Sequence, residues 1–144
     1  MAQRLNKQLQ IPWLEYQIGI EYQDLGLNNN AKILLNQAVE EYKRLKSNFL
    51  PWVLFELGTI YMDRALDEAR ALFSQALKLY SRYFRPKYLR TLDATFNLGG
   101  INYLQKKPDQ AMQYFEKAKQ SYQDIHNHKS VFKTIYYIGK VFKL

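Results

Sequence analysis

A glycine recurs along this 144-residue chain at almost constant spacing, and the residues after it follow one pattern. Gly19, Gly58, Gly99 and Gly139 lie 39, 41 and 40 residues apart, each preceded by Ile or Leu. Gly19 leads to Ala31, Leu35 and Ala38, Gly58 to Ala69, Phe73 and Ala76, and Gly99 to Ala111, Phe115 and Ala118. Steps of four and three residues put each small–large–small set on one helical face. Small residues let two helices come close, and the large residue fills the gap between them. A unit of this kind cannot bury its apolar face alone, so the repeats must cover one another. The clearest copy is 96–122. There Phe96, Gly99, Gly100 and Tyr103 share one face, and Ala111, Phe115, Ala118 and Tyr122 share another. Lys106, Lys107, Pro108 and Asp109 break the two, with Pro108 suited to the first turn of the second helix.

This arrangement resembles the tetratricopeptide repeat (TPR), carried on Leu98-Gly99, Ala111, Phe115 and Ala118. The usual Tyr three residues after the Gly is replaced here by Asn102, with Tyr103 beside it. The resemblance implies an all-α fold, a right-handed superhelical array of helix–turn–helix repeats with about seven helices. Ordinary members repeat about every 34 residues. A period near 40 predicts longer helices, because the glycine-to-alanine distance hardly changes. In the second copy that distance is 11 rather than 12, which predicts a tighter turn near 64–66.

The spacing predicts helices near 12–25, 30–46, 51–63, 66–83, 87–105, 108–125 and 130–143, with loops at 47–50, 84–86 and 126–129. Pro12 and Pro51 are each expected to open a first helix, where a missing N–H costs little. Asn28 to Asn30, after Gly26, read as a stop and N-cap cluster. Residues 1–11 read as the tail of a preceding helix, since Arg4-Leu5 stands to Pro12-Trp13 as Arg44-Leu45 stands to Pro51-Trp52. The expectation is one domain over 1–144, with repeats at 12–50, 51–86 and 87–129 and a partial one at 130–144.

Composition bounds the function. The net charge is +8, which would suit nucleic acid or an acidic partner, but the cations are scattered. Aromatics make up 15%, including 12 Tyr, which suits a thin array with much half-buried surface. Without Cys there is no disulfide framework. No apolar run reaches the roughly 18 residues a membrane span needs, and MAQRLNKQLQ lacks a signal-peptide core. A cytoplasmic location is the expectation, with no membrane association.

No catalytic constellation is visible, so no enzyme, cofactor or metal is expected. His126 and His128 flank Asn127, but no acidic or Cys ligand lies near, and a solvated loop is the better reading. Asp67-Glu68 and Glu40-Glu41 read as outer-face charges. Gly99-Gly100 lacks the Lys-Ser/Thr of a phosphate loop.

In the family that the chain resembles, the first helices line a concave groove. Its positions fall on Trp13, Tyr16 and Ile20, then Trp52, Phe55, Thr59 and Met62, then Phe96 and Tyr103, and last Lys133, Tyr136 and Lys140. Gln23, Asp24, Asp63, Asp93, Gly100, Leu104, Lys143 and Leu144 complete the set. Asn97 resembles an Asn used in such grooves to bond a peptide backbone, since an amide both donates and accepts. Gln17, Glu56 and Tyr137 replace it in the other repeats, so the carboxylate-holding set of chaperone-binding members is absent. These residues point to a non-enzymatic module that binds a peptide or extended protein segment. The long period resembles the Rap and PlcR-like peptide-sensing regulators and the kinesin-light-chain scaffolds, which would make this chain the sensor part of a regulator. Nucleic-acid binding through the basic surface is the alternative, but the groove residues do not recur as a base-reading code would require. The last helix, with Val131, Phe132, Ile135, Tyr136, Ile138, Val141 and Phe142, is apolar nearly all round. A helix of that kind expects cover on both sides. A short or truncated array that self-associates through this end is therefore expected.

Overall fold

The computed structural model describes residues 2–85 and 87–144, with side chains from Lys7 onward. The side chains of Arg4 and Leu5, and Pro86 in its loop, lie outside the described residues. Among the described residues there are seven helices and no strand. They are α1 Ala2–Asp24, α2 Asn28–Arg44, α3 Leu50–Tyr61, α4 Leu66–Tyr83, α5 Leu89–Leu104, α6 Pro108–Asp124 and α7 His128–Val141. Each recurring glycine sits in an odd-numbered helix, and each small–large–small set sits in the even-numbered helix that follows.

Two expectations fail at the amino end. Helix α1 does not start at Pro12 but runs through it for 23 residues. An internal Pro removes one ladder hydrogen bond and costs about 3 kcal/mol. Pro12 is fully buried here, and most residues before it, Ala, Gln, Arg, Leu and Lys, are good helix formers. Residues 2–11 thus belong to α1 rather than to a separate preceding helix. Nor do the asparagines cap α2. Leu27 is the N-cap, without a side-chain cap bond, and Asn28 is already helical.

The turns explain where most helices end. Gly26, Lys46, Lys106 and His126 take left-handed φ values of 76°, 51°, 57° and 59°. Each follows a helix, and the next residue's N–H reaches back five positions to close the turn. These bonds are Leu27 to Tyr22, Ser47 to Tyr42, Lys107 to Asn102 and Asn127 to Tyr122. The pattern satisfies helix-end carbonyls that would otherwise be orphaned. The α3–α4 turn has no left-handed residue, in keeping with its shorter glycine-to-alanine distance. At α7 the Asn127 side chain accepts a bond from the Ser130 N–H at 3.1 Å.

The chain groups into two compact units, Met1–Leu72 and Phe73–Leu144, with the boundary inside α4. In the first unit α2 packs on both α1 and α3, and α1 also touches α3. In the second, α6 packs on both α5 and α7, and α5 touches α7. Each core holds the side chains the repeat pattern singles out. Ala31, Leu35 and Ala38 are fully buried in the first unit, and Ala111, Phe115 and Ala118 in the second.

The glycines set how closely the helices approach. A Cβ on Gly19 would lie 2.8 Å from Leu35 Cδ2, and one on Gly99 would lie 2.8 Å from two ring carbons of Phe115. A Cβ on Gly139 would meet nothing within 4 Å. Opposite signs follow for one substitution. Alanine in a helix gains up to about 1 kcal/mol over glycine, whereas overpacking a filled core costs about 1–3 kcal/mol. Gly99→Ala is expected to lower stability by about 1 kcal/mol or more, and Gly139→Ala to leave it unchanged or raise it. Urea denaturation followed by circular dichroism reads both. A stabilised Gly99→Ala protein would show that Phe115 is not held against the glycine.

Candidate functional site

Most groove positions read from the sequence lie on odd-numbered helices, with Met62, Asp63, Lys143 and Leu144 just past their ends, so each unit presents its own face. In the first unit, Trp13, Tyr16 and Ile20 lie on α1, and Trp52, Phe55 and Thr59 lie on α3, with Met62 at its C-cap. Trp13 is 45% exposed, and Tyr16, Ile20, Trp52 and Met62 are half-buried. Phe55 is buried in the core instead. Thr59 is exposed, and its hydroxyl donates to the Phe55 carbonyl at 3.1 Å.

Phe49, just before α3, joins the aromatic side chains of this face. Its ring centroid lies 5.5 Å from Trp13, 5.1 Å from Tyr16, 5.3 Å from Tyr42 and 6.0 Å from Trp52. Edge-on and offset contacts at these distances are the favoured aromatic geometries. Sequence reasoning missed Phe49 because it sits in a loop, outside the helical spacing. Its position two residues before Pro51-Trp52 is the only available signal.

In the second unit, Phe96, Asn97 and Tyr103 lie on α5, and Lys133, Tyr136 and Lys140 lie on α7. Phe96 is buried, with its ring centroid 5.3 Å from Phe115 and 5.4 Å from Tyr137. Asn97 and Tyr103 are half-buried, and Tyr136 is 60% exposed. The lysines are held over rings. Lys133 Nζ sits 4.7 Å above Phe96, and Lys140 Nζ sits 4.9 Å from Tyr136 and 5.3 Å from Tyr137. An ammonium over a ring face is attracted to it and restricted in its motion. The Tyr136 hydroxyl beside Lys140 also holds its ammonium above the usual lysine range. Tyr137 was read only as a replacement for Asn97. It is the ring that links Phe96, Tyr103, Phe115 and Tyr136.

Acidic groups near this second face are taken up elsewhere. Asp93 accepts a hydrogen bond from the Tyr122 hydroxyl. Asp124 pairs with Lys87 at 3.0 Å, and that contact holds its carboxyl below the usual range. The face therefore offers two cations held over rings, the exposed Tyr136, the half-buried Tyr103 and Tyr137, and one amide, Asn97. His126 is the left-handed turn residue after α6, and its ring lies 6.4 Å from that of His128. Among the described residues, no group of three or more His, Cys, Asp or Glu could hold a metal. None of the described helices is long and apolar enough to cross a membrane.

Repeated helical hairpins with a small residue at each close approach define a helical-repeat protein. A family model for the tetratricopeptide repeat matches residues 50–124, about half of the chain. The chain belongs to that family. A search of curated proteins finds no match. Among solved structures, BtubC (BKLC) from P. vanneervenii is 17% identical with a TM-score of 0.73, the match covering 96% of this chain and 66% of that one. A Podosopora anserina protein described as a kinesin light chain with nearly identical TPR-like repeats is 16% identical with a TM-score of 0.76, over 89% of this chain and 64% of that one. Aspartyl phosphate phosphatase F from Bacillus subtilis is 17% identical with a TM-score of 0.77, over 94% of this chain and 38% of that one. The chain thus spans less than two thirds of each of these proteins' lengths. At such identities the likeness is one of fold.

The buried tyrosines make stability fall in alkali. Burial, with Tyr16 and Glu15 nearby, pushes the Tyr42 hydroxyl up from 10.0 to about 12. Burial and the bond to Asp93 push Tyr122 up as well. The unfolded chain then releases these protons at lower pH than the folded one. Stability is fully present below pH about 10 and declines as the pH rises toward 12. Denaturation midpoints at pH 9 and 11 should show the drop, and Tyr42→Phe should reduce it. An unchanged midpoint in the parent protein would contradict the burial of both hydroxyls.

Proposed function

We propose that this chain, acting as one domain of repeats over 1–144, is a non-enzymatic interaction module that holds an extended peptide against the first-helix faces. The observation that carries this reading is the α5–α7 face. Lys133 and Lys140 are seven residues apart on α7, which spaces them about 10 Å along the helix axis. A peptide in the extended polyproline II conformation covers that distance in about three residues and, at three residues per turn, turns side chains i and i+3 to the same side. Two acidic side chains three positions apart would each meet a lysine. Tyr136 and Tyr103 would pack on the residues between them, and Asn97 would bond the peptide backbone. The α1–α3 face, with Trp13, Tyr16, Ile20, Trp52 and Met62, adds an aromatic surface of its own. Rigid aromatic rings are typical anchors of protein interfaces, and placed cations add charge complementarity to them. A cytoplasmic sensor part of a regulatory protein is the role that fits such a surface. The similarity in fold to a bacterial aspartyl phosphate phosphatase and to kinesin-light-chain repeats is consistent with it.

A library of displayed peptides, followed by calorimetry on those selected, tests the proposal. The expected ligands carry Asp or Glu at positions i and i+3. Lys133→Glu with Lys140→Glu should weaken binding by about tenfold or more, near 1.4 kcal/mol per decade. Asn97→Ala should also weaken it, with helical content unchanged. Folded variants that bind all selected peptides as the parent does would sink the reading.

A further inference from the structure

Within the second unit, residues of α4, α5 and α6 line a cavity of about 340 Å³, and none of them belongs to the peptide face. Its buried lining includes Thr91, Leu92, Thr95 and Ala118, and Lys87 and Lys117 stand at its exposed edge. Thr91 is 6% exposed, and among the described residues its hydroxyl has no hydrogen-bond partner. The reason is its place in the helix. A serine or threonine inside a helix can pass its proton to the carbonyl four residues earlier. Thr59, Ser81, Thr95 and Thr134 do so, at 3.1, 2.9, 3.0 and 2.7 Å. Thr91 is the third residue of α5, so the carbonyl four positions back, that of Lys87, lies ahead of the helix. An empty packing gap is lined by apolar atoms. This cavity instead has, on its buried side, a hydroxyl able both to donate and to accept.

The charge at the edge is of one sign. The lining holds two lysines and no carboxylate. Lys87 is paired with Asp124 at 3.0 Å. Lys117 takes part in none of the ion pairs among the described residues. Its neighbours three and four positions away on α6 are Gln113, Tyr114, Gln120 and Ser121, none of them acidic. The apolar part of the lining comes from Leu77, Leu92 and Ala118.

We infer that this cavity binds a small organic acid. The carboxylate meets Lys117, and the apolar body lies against Leu77, Leu92 and Ala118. A hydroxyl or carbonyl group on that body pairs with the Thr91 hydroxyl. A few placed polar groups in a mainly apolar hollow are what orient a small ligand. The volume stands at the lower end of the range for such sites, about 300–1,000 Å³. A ligand of one ring is therefore the size that fits.

The probe is para-hydroxyphenylpropionate, titrated into the intact chain and followed by amide NMR. It should shift the signals of Thr91, Leu92, Thr95 and Ala118. Phenylpropionate, which lacks the hydroxyl, should bind about fivefold more weakly. Tyramine, with an ammonium in place of the carboxylate, should bind about tenfold more weakly or not at all. Thr91→Val should erase the difference between the two acids. It should also leave the urea midpoint unchanged or higher, because the hydroxyl it removes has no protein partner. Lys117 is exposed, so Lys117→Glu does not threaten the fold, and it should weaken both acids about tenfold. Absence of binding at millimolar acid would overturn the inference, as would shifts confined to other residues or binding indifferent to Lys117→Glu. A hydroxyl preference that survives Thr91→Val would overturn it too. So would a lowered midpoint, since Thr91 would then be bonded within the protein. A tripeptide ending in tyrosine that binds more tightly than the free acid would give the cavity to a peptide end, and would also overturn it.

Discussion

The structure depends on a single contact type, a large apolar side chain pressed onto a glycine of the neighbouring helix. Leu35 over Gly19 and Phe115 over Gly99 leave no room for even a methyl group. The contact fixes the separation of the two helices in a hairpin, because the ring or branched chain is the spacer and the glycine is its seat. It also fixes rotation. With Phe115 seated on Gly99, Ala111 and Ala118 face the same way and are fully buried, and Tyr122 reaches Asp93. A protein interior is packed densely enough for one such wedge to determine what its neighbours can do.

The wedge was legible in the sequence because it is periodic. Glycines near forty residues apart, each followed by a small–large–small set, gave the seven helices and nearly all of their boundaries. What escaped was not periodic. Pro12 sits inside α1 because a buried position on the stripe facing α2 outweighs a local preference to end the helix. Leu27 rather than an asparagine precedes α2, because the backbone closes the preceding turn through Gly26 and the Leu27 N–H. Phe49 lies between helices, so no helical spacing could mark it. Of the residues assigned to a binding surface, Phe55 and Phe96 turn out to be buried. Spacing says which helical face a residue occupies. How deep that face lies depends on neighbours that the chain brings in from far away.

The α5–α7 face shows how one set of side chains can serve both packing and recognition. Phe96 is a core residue by burial, yet its ring faces Lys133. Tyr137 packs on Phe115 and also lies below Lys140. The lysines therefore stand on the rim of the core, and their stems cover apolar surface while their ammonium groups stay wet. A cation held in this way has given up much of its side-chain freedom before any ligand arrives. That lowers the entropic cost of meeting a carboxylate. Lysines standing free on the outer faces of the helices, such as Lys78, lack that advantage even though they add to the same net charge.

The two ends of the repeat pattern make a separate point about burial. In a stacked array of hairpins, an inner first helix lies between two second helices. Among the described residues, α1 packs on α2 and leaves Ile11, Leu14 and Ile18 exposed, while α7 packs on α6 and leaves Phe132, Ile135 and Phe142 exposed. The sequence of α7 does not adjust to this. Its outward stripe keeps the glycine and the large apolar residues of a helix that is covered on both sides. Phenylalanine at 71% and 80% exposure would be replaced at little cost if water were its permanent neighbour. Gly139 in particular gives up helix propensity for no local return. The combination makes physical sense where a second helix closes over it, and that requirement belongs to α7 itself, whichever molecule supplies the helix.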